Sequence, residues 1–181
     1  MNTKQNAIES IEEFLHSDER CLLITGTHQY AKHKLIMAIL DKHFENHLFL
    51  FRTNSLKNVS NNDHLGWAGV NKTPKAGETF KVGRNMYQCD SLTSSGTWYK
   101  TSRRFACAIV YPVDTLYRSG DVSSIDDLFK FKEISKVFLA SWMDRNEYDH
   151  SIFAQFVQRH VVYDAEQEDP EYHQRVLNLR N

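Results

Sequence analysis

Long apolar runs are missing from this 181-residue chain. No stretch approaches the roughly 20 apolar residues that a bilayer span requires, and the N-terminus is polar and helix-like, so neither a membrane segment nor a secretory leader is expected. Cysteine is scarce: Cys21, Cys89 and Cys107 are odd in number and far apart. That excludes a disulfide framework and a zinc module, and the expected compartment is the reducing cytoplasm. The nine histidines do not offer a metal set, because His28 with His33 and His43 with His47 find no third and fourth ligand at suitable spacing. A formal net charge of −1 removes any global attraction to nucleic acid or to a membrane surface. Repeats, low-complexity tracts and nuclease signatures are absent, and His150 has no Ser or Cys nucleophile in a local signature of a hydrolase triad.

What is present is ordinary in composition and informative in order. With 41% hydrophobic and 25% charged residues, the chain has the make-up of one globular domain with a sizeable core. Thr3 to His16 carries Ala7, Ile8, Ile11, Phe14 and Leu15 at helical spacing. Cys21 to Thr25 is continuously apolar, as in a strand covered on both faces. Ala31 to Phe44 has the wide apolar face of a second helix, and His47 to Arg52 is another buried strand. Strand, helix and strand in about 30 residues predict a βαβ unit with a parallel pair. Phe105 to Val110, Lys136 to Trp142 and Val157 to Asp164 supply three further core strands. Ser124 to Phe131 reads as a helix capped by Ser123 or Ser124, and Asp169-Pro170-Glu171 as the start of the last one. The expected fold is α/β: a mostly parallel sheet of about five strands, helices on both faces, and a basic, β-rich insertion at about 54–104 within a single domain.

The segment between the first strand and second helix is the most specific feature. Thr25-Gly26-Thr27-His28-Gln29-Tyr30-Ala31-Lys32-His33 places a glycine at the strand end and a lysine at the helix start, six positions on. Backbone N–H groups at a helix N-terminus, together with a lysine, form an anion site. This layout resembles the phosphate loop of the P-loop NTPase superfamily. The resemblance covers about the first 50 residues. It implies that Lys32 contacts the phosphates of a nucleotide or another phosphorylated ligand while the Gly26–His33 backbone, Thr27 included, wraps them, with Mg²⁺ accompanying a nucleoside triphosphate. Two positions depart from the pattern. Ala31 stands where the second glycine belongs and crowds the backbone approach. His33 stands where a magnesium-binding hydroxyl belongs, and imidazole suits softer metals. The rings of His28 and His33 could instead hydrogen-bond a phosphate directly.

A strand-end acid would be needed to orient metal-bound water. Phe105 to Val110 is followed by Tyr111-Pro112-Val113, so Asp114 is the nearest candidate, with Asp164 after Val161-Val162-Tyr163 as a second. Arg145, just after a core strand, could supply a cation to a phosphate. NTP hydrolysis or phosphoryl transfer would then use Lys32, Asp114 and Arg145, while the two departures make a catalytically inactive loop an equal reading.

The competing reading rests on the insertion. From Asn54 to Arg104 there are eight basic residues against three acidic ones, a surplus of +5 that leaves −6 elsewhere. Lys81, Arg84, Lys100, Arg103 and Arg104 interleave with aromatics including Trp98, the mixture that binds single-stranded nucleic acid, and one that also suits a partner protein. On this view the chain is a non-enzymatic interaction module. A phosphodiester-cutting enzyme using Asp90 and Asp114 is a third possibility without a signature.

Overall fold

The computed structural model describes residues 2–180. Helix α1 (Lys4–His16) is capped by Thr3, whose side chain accepts the Asn6 amide. It is followed by β1 (Cys21–Thr25), α2 (Lys32–His43) and β2 (Leu48–Thr53). A long irregular stretch then leads to the hairpin β3 (Thr79–Val82) and β4 (Asn85–Ser91). Next come β5 (Arg104–Val110), α3 (Asp114–Ser119), α4 (Ser123–Lys130) and β6 (Glu133–Ala140). Strand β7 (Arg159–Val162) and helix α5 (Pro170–Asn178) complete the order.

All seven strands join one sheet in the order β3-β4-β2-β5-β6-β1-β7, and only the β3–β4 pairing is antiparallel. The sheet is therefore wider than the five expected strands. The segment read as an insertion contributes β3 and β4 to the edge of the same sheet, β4 pairing in parallel with β2 from Leu48↔Met86 to Thr53↔Ser91. The expected β1–β2 pair is also different in detail. The two strands are parallel, but β5 and β6 lie between them. Alternation of apolar strands and helices dictates direction and not order, because a crossover can skip neighbours.

Side-chain alternation divides the core into two layers. Leu22 and Ile24 of β1 pack with Ala7, Ile11 and Phe14 of α1 and with Ile36 and Leu40 of α2. Cys21 and Leu23 face the other way, onto Leu116 of α3 and Ile125 and Leu128 of α4. Helices thus cover both faces, and β1 is buried along its full length. Other expectations shift by small amounts. The residue before α4 is Val122 and makes no side-chain cap, while Asp121 accepts the Ser123 amide at 2.9 Å. Within the segment read as an insertion, Ser95–Lys100 forms a 3-10 turn, and Arg104 already opens β5. Asp169 and Pro170 start α5 as read, Asp169 accepting the Tyr172 amide.

Candidate functional site

The loop between β1 and α2 sits at the carboxyl ends of the strands, where open α/β sheets carry ligands. At β1 the sheet runs through β6, β5 and β2 on one side and through β7 on the other. Gly26 leaves the strand at φ +115°, a conformation that side chains rarely adopt. A Cβ there would lie 2.2 Å from the Tyr163 carbonyl oxygen, so at Gly26 the loop meets the segment after β7 backbone to backbone.

Lys32 is the first residue of α2 and is fully buried. Its ammonium turns back on the loop and donates to the carbonyls of Gly26 (2.7 Å), His28 (3.1 Å) and Trp142 (3.3 Å). Burial pulls its pKa down to about 8, against the favourable fields of Asp144, Asp114 and Asp164.

The loop amides already have acceptors. Gly26 N–H donates to Asp144 Oδ2 in a short contact, and Thr27 N–H donates to Asp164 Oδ1 at 2.8 Å. His28 N–H donates to the Tyr163 carbonyl at 3.3 Å, and Gln29 N–H to the Tyr172 hydroxyl at 3.2 Å. Side chains extend the closure. The Thr27 hydroxyl accepts the Ala165 amide (3.0 Å) and bonds His173 Nδ1 (2.7 Å). The His28 ring lies against Tyr163, with centroids 4.8 Å apart, and pairs with Glu168 at 3.4 Å. Arg180 reaches Asp144 at 3.6 Å. Residues 163–180 therefore cover residues 26–29, and two carboxylates occupy the amide cradle.

The positions proposed for metal and catalysis have other partners. Ala31 precedes α2, and its carbonyl accepts the Leu35 amide at 2.8 Å. His33 is buried, stacks on Tyr111 with centroids 4.0 Å apart, and its Nε2 bonds the His64 carbonyl at 2.8 Å. Burial lowers its pKa to about 3, so the ring is neutral. Asp114 uses both carboxylate oxygens to accept the amides of Trp142 (2.7 Å) and Met143 (2.9 Å), clamping the turn after β6. Burial raises its pKa, partly offset by those two amides. Tyr111 and Pro112, which follow β5 directly, carry no carboxylate. A neutral buried imidazole and a doubly engaged carboxylate are a poor donor set for Mg²⁺, a hard ion that seeks free oxygens. Among the described residues, no group of three or more His, Cys, Asp or Glu is placed to hold a metal. Arg145 is half-buried in the turn after β6 and accepts the Tyr148 amide through its carbonyl. His150 bonds the Tyr117 hydroxyl at 2.7 Å.

Asp164 and Asp114 were legible as strand-associated acids, but Asp144, Tyr172 and His173 were not singled out for the loop. Their bonds join residues more than 110 positions apart, and they meet only because the turn after β6 and the segment after β7 both pack at the end of β1.

The residues of the basic segment are spread along the sheet. Lys81 is exposed on β3, and Arg84 is occupied by the Asp41 and Lys42 carbonyls at the end of α2. Arg103 and Arg104, at the start of β5, share Glu133 (3.4 and 2.5 Å). Lys100 is exposed, and Trp98 Nε1 donates to the Ser91 carbonyl at 2.6 Å. Asp90 is fully buried and chelates Arg52 with two bonds of 2.7 Å, which leaves no free carboxylate for phosphodiester chemistry. No helix among the described residues is long and apolar enough to cross a membrane.

No protein-family model matches the chain, and no curated protein does. Two solved structures of the large terminase from a thermophilic bacteriophage are similar to it. The one in complex with ADP has a TM-score of 0.56 at 10% identity, over 90% of this chain and 45% of that chain. The other has a TM-score of 0.52 at 10% identity, over 88% and 44%. The likeness is one of fold alone, and the chain spans less than half the length of those terminases.

Proposed function

We propose that the chain binds a nucleotide or another phosphorylated ligand at the β1–α2 loop and does not hydrolyse it. Phosphate oxygens would take over the amide bonds that Asp144 and Asp164 now make. The observation that carries this reading is that the Gly26 and Thr27 amides are each bound to a carboxylate oxygen. The loop therefore serves as an anion cradle, and a phosphate is a chemically equivalent acceptor. That a similarly folded terminase is seen with ADP supports the choice of ligand class.

Exchange has a requirement. Three carboxylates, Asp114, Asp144 and Asp164, surround one buried ammonium. A phosphate can enter only when Asp144 and Asp164 withdraw, and withdrawing Asp164 moves the segment that also carries Tyr163, Tyr172 and His173. Binding should accordingly be weak in the native chain and coupled to displacement of residues 163–180. Absence of turnover follows from His33, Asp114 and the Tyr111-Pro112 pair, which leave neither a hydroxyl for Mg²⁺ nor a free acid for water. Calorimetric titration with ATP, GTP and ADP, with and without Mg²⁺, tests the reading against Lys32→Ala, whose fold is checked by circular dichroism. Binding that is indifferent to Mg²⁺ and lost in a folded Lys32→Ala supports it. Mg²⁺-dependent turnover, or binding that survives the substitution, overturns it.

A further inference from the structure

A second site lies on the α4 face of the sheet and is independent of the loop. The β5–β6 register pairs Arg104 with Glu133 and so brings the run Lys130-Phe131-Lys132 beside Trp98-Tyr99-Lys100. Lys132 fastens the two runs together, donating to Trp98 O (2.9 Å), Thr101 Oγ1 (2.9 Å) and Ser102 O (3.0 Å). Between them is a cavity of about 390 Å³ lined by Trp98, Tyr99, Arg103, Asp127, Phe131 and Lys132. Its floor is rigid. The buried Arg52 guanidinium lies 4.9 Å from the centre of the Trp98 ring and is held by Asp90 and by the Ser124 carbonyl at 2.6 Å.

The walls are what a monomer alone does not explain. Tyr99 is 79% exposed and Phe131 71%, the two most exposed large hydrophobic side chains among the described residues, and both border this cavity. Adjacent exposed aromatics give up burial and mark a binding surface. The rim is basic: Lys100 and Lys130 are exposed, as is Arg103 at 77%, against Glu133 and Asp126. Asp127, the acid facing the cavity, is neutralised by Arg52 Nη2 at 2.9 Å.

We propose that this cavity is a stacking site for single-stranded nucleic acid. A base would lie on Tyr99 and Phe131, with the flanking phosphates on Lys100, Lys130 and Arg103. Charge complementarity selects an anionic chain, and the free ring faces select one with unpaired bases. An acidic peptide would satisfy the charges and leave the rings unused, while a duplex offers no free base faces.

The test is fluorescence anisotropy of a labelled oligothymidylate, read against Tyr99→Ala and Phe131→Ala. Both positions are exposed enough for the fold to persist, which circular dichroism confirms. Each substitution should weaken binding roughly five- to a hundredfold. With three phosphate contacts, at Lys100, Lys130 and Arg103, the affinity should fall with salt at a log–log slope of about −2. The proposal is overturned if the oligonucleotide does not bind at low salt, if affinity survives both substitutions, or if duplex or polyglutamate competes equally well.

Discussion

Replacing Asp90 by asparagine should cost the protein about 3–5 kcal/mol, the usual penalty for removing one partner of a buried ion pair. Arg52 and Asp90 are both fully buried at neighbouring positions of β2 and β4. Two bonds of 2.7 Å join them, Ser124 O takes a third guanidinium donor at 2.6 Å, and Thr101 Oγ1 donates to Asp90 Oδ2 at 3.1 Å. The carboxamide of Asp90→Asn would keep the shape and one acceptor while leaving the guanidinium facing only the Asp127 carboxylate, 2.9 Å away. Against a typical total stability of 5–15 kcal/mol the loss is large, and for a chain of this length it lowers Tm by roughly 6–20 °C. Urea denaturation followed by far-UV circular dichroism gives the value. Arg52→Met should cost a similar amount, and the double variant should lose less than the sum of the two, because removing both charges leaves neither stranded. A loss below about 1 kcal/mol for Asp90→Asn, with additive singles, would refute the view that this pair is a buried structural link.

Other outcomes follow from the loop and its surroundings. Gly26→Ala should destabilise the fold by at least about 3 kcal/mol, since strain at φ +115° adds to a 2.2 Å approach to the Tyr163 carbonyl; chemical denaturation in the absence of ligand shows whether the loss is structural, and an unchanged midpoint would contradict it. His33 should make the protein acid-sensitive. Its folded pKa of about 3 lies below the unfolded value of 6.5, so the unfolded chain takes up a proton first and stability falls as the pH drops from 6.5 toward 3. The full span amounts to roughly 4–5 kcal/mol at about 1.4 kcal/mol per pH unit, and His33→Phe should flatten the urea-midpoint profile over that range; an unchanged profile would contradict the assignment.

Much of the architecture was legible because its signals are local. The apolar runs of β1, β2, β5 and β6 and the Asp169-Pro170 start of α5 are short-range patterns with a direct physical cause. Strand β4 did not read as part of the main sheet, because its α4-side positions Gln88 and Asp90 are polar. Their partners, Thr79, the Ser102 amide and Arg52, come from other elements. At the site, Gly26 and Lys32 were visible from spacing, whereas the occupancy of the loop was not. Asp144 reaches Gly26 across 118 residues and Asp164 reaches Thr27 across 137, distances over which one sequence carries no pairing signal. The same holds for Phe131, which joins Tyr99 only through the register of β5 and β6.

The loop is closed by its own carboxylates, and neutralising them opens it to a competing anion. Asp144→Asn/Asp164→Asn keeps an acceptor on the Gly26 and Thr27 amides while removing two negative charges from beside Lys32. Calorimetric titration of ADP into this variant and into the native protein compares the two states. The variant should bind ADP more tightly, by roughly tenfold or more if each charge is worth about 1 kcal/mol at the site. Equal affinity, or no binding by either protein, would contradict it.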